Sequence, residues 1–161
     1  MKNVKHILVI SRMDLNSQKA VHFGISLARA YDAHLLVLHL VANPVAIMPE
    51  NTPGLFPEIQ YITYANNQKQ AKVMLDEVIR QEMQNGFPIK ELVSDTESLE
   101  EVLNIVRKEH IDLIIMLAHE EGRIEHALFG GENDAIIRKM PCSILLVKSE
   151  PEPAKRTVAF R

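Results

Sequence analysis

Residues 116–147 read MLAHEEGRIEHALFGGENDAIIRKMPCSILLV, and their outline sets the terms for the rest of the chain. The apolar end of one strand passes into a polar loop bearing Gly122, Gly130 and Gly131. A short helical stretch follows, from about Gly131 to Lys139, and Pro141 ends it because proline cannot continue a helix. A second apolar run, CSILLV at 142–147, closes the unit. Strand, glycine-bearing loop, helix and strand in that order are the usual setting of a phosphate-binding loop. Here, however, acidic residues stand where a phosphate requires amide donors and positive charge.

Three further runs match the last one: HILVIS (6–11), HLLVLHLV (34–41) and DLIIML (112–117). Each is apolar almost throughout and rich in Val, Ile and Leu, as suits strands covered on both faces in a parallel sheet. A fifth candidate, PIKELVS (88–94), alternates and fits an edge strand. Helical spacing fills the gaps. From Ser17 to Tyr31, residues Ala20, Gly24, Leu27, Ala28 and Tyr31 share a face, with Asn16 or Ser17 available as N-cap. From about Ile62 to Met83, the stripe is Ala71, Met74, Leu75, Val78 and Ile79, and Asn85-Gly86 supplies the stop. From Ser98 to Glu109 it is Leu99, Val102, Leu103 and Val106, with a capping box in SLEE.

The resulting order, βαβαβαβαβ, predicts a single doubly wound α/β domain with a parallel sheet and helices on both faces. Ligands of such sheets bind at the carboxyl ends of the strands where the strand order reverses. The loops after HILVIS and DLIIML are therefore the expected site. The domain spans 1–148. A proline-rich loop at 42–60, with Pro44, Pro49, Pro53 and Pro57, interrupts it, and 149–161 reads as a flexible tail.

Composition narrows the function classes. The chain has 161 residues, 47% hydrophobic and 24% charged, with net charge −3. No basic field exists to gather nucleic acid or anionic lipid. No apolar run approaches a membrane span, and the N-terminus lacks a small-residue cleavage site, so a cytoplasmic protein is expected. The single cysteine, Cys142, excludes an internal disulfide framework and reads as an inert thiol, since nothing near it in sequence supplies a base. His119 and His126 stand seven apart, the wrong spacing for a shared ion on one helix, and no metal site is expected. His6, His34 and His39 flank strands and read as strand-end polar contacts. No nucleophile elbow, lysine-bearing phosphate loop or dinucleotide fingerprint occurs.

In the order and spacing of its parts the chain resembles the universal stress protein family. HILVISRMDLNSQKAVHFGISLARAYDAHLLVLHLV looks like that family's first βαβ unit, including the His39-Leu40 pair. DLIIMLAH followed by FGGENDAIIRKMPCSILLVK looks like its last, with Pro141-Cys142 opening the final strand. The resemblance implies an adenine nucleotide alpha-hydrolase-like, five-stranded parallel sheet in the order 3-2-1-4-5 and a homodimer paired through the final strand, 142–147. The family contains ATP binders and non-binders. The binders carry G-x2-G-x9-G-[ST] after the fourth strand and an Asp in the turn after the first. In ungapped register those positions fall here on Leu117, Glu120, Gly130 and Gly131, and only the third matches. Leu117 blocks close approach of a phosphate, Glu120 and Glu121 add negative charge, and Gly131 lacks the hydroxyl. Glu132 and Asp134 already occupy the first turn of the following helix. Arg12 falls at the ribose-binding Asp, with Asp14 two residues later, while Leu40 keeps an apolar position suited to adenine.

The candidate cleft is thus Ser11, Arg12, Asp14, Leu40, Leu117, Glu120, Gly122, Arg123, Gly130 and Gly131. The first expectation is a dimeric regulatory or interaction module of the stress response, with no bound cofactor, no catalytic residue and a protein partner of unspecified identity. The alternative is an ATP-binding member with a divergent loop that recruits Gly122 and at most slow hydrolysis, using Arg12, Arg123 or His126 to offset the acids. A third reading makes Arg12 the clamp for an acidic metabolite or peptide, against pairing of Arg12 with Asp14 or Glu120.

Overall fold

The computed structural model describes residues 3–13, 16–41, 58–95, 99–118 and 132–148. The strands are β1 (His6–Ser11), β2 (His34–Leu40), β3 (Ile89–Ser94), β4 (Leu113–Ala118) and β5 (Ser143–Lys148). The helices are α1 (Ser17–Tyr31), α2 (Glu58–Gln84), α3 (Leu99–Lys108) and α4 (Glu132–Lys139). The sheet is five-stranded and parallel throughout, in the order β3-β2-β1-β4-β5, as expected. The proline-rich segment up to Pro57, the loop at 119–131 and the tail from 149 lie outside the described residues.

The strand alternation sorts side chains into two cores. Ile7 and Val9 of β1, Leu35 and Val37 of β2 and Ile115 of β4 face α1 and α2, where Val21, Ile25, Leu75 and Ile79 meet them. Leu8 and Ile10, Leu36, Leu38 and Leu40, and Ile114 and Met116 face the other way, onto Val102 and Val106 of α3 and Ile136 of α4. Both faces of β1, β2 and β4 are therefore buried, the physical reason their sequences are continuously apolar. Burying each such side chain contributes roughly 1.5–3 kcal/mol. β3 lies at one edge of the described sheet, and its Lys90, Glu91 and Val93 are exposed where β1, β2 and β4 are covered.

Gly24 sits in the middle of α1, where glycine weakens a helix by up to about 1 kcal/mol. The packing explains it. A Cβ at position 24 would lie 2.4 Å from Val9 Cγ2, so the missing side chain is what lets α1 approach the sheet.

Three local expectations meet different outcomes. α2 stops as anticipated, with Gly86 at φ 84° and Phe87 N–H donating to the Glu82 carbonyl at 3.0 Å. It begins earlier than the stripe suggests, at Glu58, inside the stretch taken as loop. Pro57 is the last helix breaker there, and EIQY after it holds no proline or glycine to stop a helix, although it continues no stripe. Asn16 does occupy the N-cap of α1, but its backbone is helical (φ −92°, ψ −12°) and its side chain makes no capping hydrogen bond. Its carbonyl instead accepts from Lys19 N–H at 2.9 Å. The capping box at Ser98 falls outside the described residues.

Candidate functional site

The ladder between β1 and β4 ends at Val9–Ile115, although β1 runs on to Ser11 and β4 to Ala118. The crossovers on either side of this pair leave in opposite directions, so this is the crevice where the sheet reverses its order. On β1's other flank, Ser11 is the register partner of His39, and further out Leu40 is that of Ser94.

Burial singles out the same end of the sheet. Among the described residues, the buried polar side chains are Ser11, Ser17, His39 and Ser94. Three end strands at their carboxyl side, and the fourth opens α1 just above them. Burying a polar group costs free energy unless it is hydrogen-bonded, so a fold that places all of these at one edge has concentrated its chemistry there.

Their partners are specific. Ser11 Oγ accepts the Met13 N–H at 3.3 Å, tying down a turn in which Met13 takes φ 55° and is buried to 4% exposure. The turn after β1 is thus closed over by an apolar side chain that packs into the α1/α2 core. His39 Nε2 lies 2.9 Å from Glu91 Oε2, an interaction between neighbouring strands. His39 Nδ1 is buried with no hydrogen-bonded partner among the described residues. Ser94 donates its hydroxyl to Glu101 Oε2 at 2.6 Å, pinning the end of β3 to the first turns of α3. The histidine expectation for strand ends is met: His39 makes this contact, and His6 and His34 stack at the other edge with ring centroids 5.4 Å apart.

Of the ten candidate cleft residues, Ser11, Arg12, Leu40 and Leu117 are described. They do not converge as a single wall. Ser11 and Leu117 fall on the α1/α2 face, where Leu117 packs against the core. Leu40, 1% exposed, belongs to the opposite core with Leu36, Leu38 and Ile136. Arg12 is half-buried and engaged with other groups. Asp14, Glu120, Gly122, Arg123, Gly130 and Gly131 lie outside the described residues, as do the suggested pairings of Arg12 with Asp14 and Glu120. Sequence reasoning missed Met13, Glu91, Ser94 and Glu101. Ser94, the polar end of an alternating strand, gave a signal of its own, but Glu101 looked like an ordinary helix-start acid.

Cys142 immediately precedes β5 and is half-buried. Burial pushes its thiol up, and the nearby Asp112 carboxylate adds to this against a hydrogen bond with the Ile114 backbone. A raised value leaves less thiolate at any given pH, and the thiolate is the nucleophile. At pH 8 a disulfide reagent should therefore modify native Cys142 several-fold more slowly than free cysteine, and unfolding in urea should abolish the difference. Among the described residues no three His, Cys, Asp or Glu side chains converge as a metal site. None of the described helices is long and apolar enough to cross a membrane.

The comparisons with known proteins agree with this architecture. A universal stress protein from Burkholderia pseudomallei superposes with TM-score 0.57 at 18% identity, covering 92% of this chain and 99% of that one. The universal stress protein UspA from Lactobacillus plantarum gives TM-score 0.63 at 19% identity, with 91% and 99% covered. An Arabidopsis thaliana family protein solved with AMP bound gives 0.53 at 10% identity, with 94% and 97% covered. These identities speak for the fold. Among curated proteins, none matches this sequence. The model of the universal stress protein family matches residues 3–148, the whole span from before β1 to the end of β5. The chain belongs to the universal stress protein family.

Proposed function

We propose that the protein is a dimeric, non-catalytic module of the cytoplasmic stress response whose nucleotide site has been closed. The observation that carries this reading is the turn after β1. Where an ATP-binding member presents a carboxylate, this turn carries Arg12, and Met13 is folded into the core behind it. Leu117 adds a bulky side chain at the end of β4, where close backbone approach to a phosphate calls for glycine. The acids at Glu120, Glu121, Glu132 and Asp134 complete the argument from sequence, because unpaired carboxylates beside a triphosphate are repulsive.

Dimerisation through β5 follows from the character of that edge. Among the described residues Ser143–Lys148 pairs with β4 alone, and Leu146 is 48% exposed on it. An apolar edge strand left open is a template for pairing with another chain. Sedimentation equilibrium of the wild type at micromolar concentration should give a dimer, and Leu146→Lys should shift it to monomer without unfolding it. A wild-type monomer throughout that range would remove the dimer from the account.

A second reading has its own support. The buried polar groups at the carboxyl edge, His39 Nδ1 among them, and the AMP held by the Arabidopsis relative favour an adenine nucleotide bound through a rearranged loop. In that case Arg12 and Arg123 would offset the acids, and replacing both with alanine would abolish the binding.

A further inference from the structure

The α1/α2 face of the sheet is covered unequally. Gly24 of α1 stands over Val9 of β1, with Leu35 and Ile115 of the flanking strands next nearest. α2 lies on the β3 side of α1, where its Asp76 and Arg80 share a surface groove with Glu91 of β3. Among the described residues, therefore, no helix stands over β5 on this face, and α1 only borders it. The other face of β5 differs, because Ile144 packs against the core that holds Ile136 of α4.

The result is an apolar shelf. Leu145 and Val147 of β5 are the register partners of Ile115 and Leu117 and share their face. Both remain half-buried where Ile115 is fully covered. α1 turns a second apolar surface toward them. Phe23, Leu27 and Tyr31 stand four residues apart on one flank, and Arg29, on the other, pairs with Glu82 of α2. Leu27 packs on the same core as Leu145 and Val147, while Phe23 and Tyr31 are 42% and 38% exposed. Exposed apolar residues scattered singly are ordinary, but a contiguous set marks a surface that something covers.

The chain itself supplies an occupant. Residues 149–161, SEPEPAKRTVAFR, follow β5 directly, and Val158, Ala159 and Phe160 form an apolar run within them. Extended, this segment spans up to about 43 Å, roughly twice the length of a six-residue strand. It can therefore turn at the carboxyl end of β5 and lay Phe160 back over Leu145. On one face that path meets α4, and on the other it meets the shelf. A tethered segment also competes at an effective concentration on the order of millimolar, above that of a second copy in micromolar solution. We propose that Val158, Ala159 and Phe160 dock on this shelf, with Phe160 between the Phe23–Leu27–Tyr31 flank and Leu145. The shelf is a face of β5 and not its open edge, so the inference stands whether or not that edge pairs with a second chain.

Lys155 and Arg156 make the docking measurable, because trypsin cuts after both. Cleavage there in the native full chain is compared with cleavage of an acetylated synthetic peptide of residues 149–161. Docking should slow it by about tenfold or more, since cleavage tracks the fraction of time the segment is released. Phe160→Ser should bring the rate back to that of the peptide. Phe23→Ser, which leaves the segment itself untouched, should speed cleavage several-fold, and Tyr31→Ser gives an independent reading should Phe23→Ser unfold. Val93→Ser, at an exposed apolar residue on the far edge of the sheet, should change nothing. Cleavage of the wild type at the peptide rate would overturn the proposal. So would protection that rises with protein concentration, which would make a second copy the occupant. Protection unmoved by both α1 substitutions, or lost equally in Val93→Ser, would overturn it as well.

Discussion

Gly24→Ala should destabilise the fold by about 2 kcal/mol, although alanine is the better helix former by up to about 1 kcal/mol. The new Cβ would sit 2.4 Å from Val9 Cγ2. Val9 is fully buried on the central strand and β-branched, so its side chain has little freedom to turn aside. Leu35 Cδ1, at 3.4 Å from the same point, and Ile115 Cδ1, at 3.8 Å, close the other directions. The helix must then lift from the sheet, and the burial of Val21, Ile25 and Ala28 loosens with it. Urea unfolding measures the loss. The cause is tested by Val9→Ala in the same chain: the double variant should be less destabilised than the sum of the singles, because the smaller residue vacates the contact. Additive losses would show that the close approach of α1 is not what requires glycine.

The second large effect concerns Leu40, which the resemblance offered as a wall of an adenine pocket. Leu40→Ala should cost about 2–5 kcal/mol, the range for removing a fully buried leucine. Leu40 is 1% exposed and packs in one cluster with Leu36, Leu38, Val102 and Ile136. A residue lining an open pocket would instead change ligand affinity and leave stability nearly unaltered. A stability within a few tenths of a kcal/mol of wild type would show that this core does not depend on Leu40.

These two residues illustrate what a sequence of this class displays and what it conceals. Continuous apolar runs at 6–11, 34–40 and 113–118 announce strands covered on both faces, and the alternation of 89–94 announces an edge. The same continuity hides which face each residue occupies, since almost every position is apolar. Leu40 and Leu117 therefore looked like companions of Ser11, yet Leu40 lies on the opposite side of the sheet. Strand order was legible only through the family resemblance, because composition and spacing do not fix which strands pair. The start of α2 was missed because residues 58–61 carry no apolar stripe, and helix there is set by the absence of a breaker after Pro57.

The polar site was legible in part. Ser11 and Arg12 stand at the end of a recognisable strand, and the fold places them at the crevice. Met13 and Glu101 were illegible for opposite reasons. A methionine in a polar turn gives no sign that φ 55° will turn it inward. A glutamate near a helix start reads as a partner of the helix end, whereas Glu101 accepts the hydroxyl of Ser94 across the edge. The Ser94–Glu101 contact depends on how β3 meets the helix that follows it, which neither the strand pattern nor the helix pattern encodes.

The proposed closure of the crevice is tested most directly by calorimetric titration. Protein stripped of carried-over ligand is titrated with Mg-ATP at physiological salt, and its thermal unfolding is followed with and without millimolar ATP. The account predicts no binding heat and no stabilisation. Saturable binding in the micromolar range, with a matching rise in unfolding temperature, would contradict it and show that the acidic loop rearranges to hold the nucleotide.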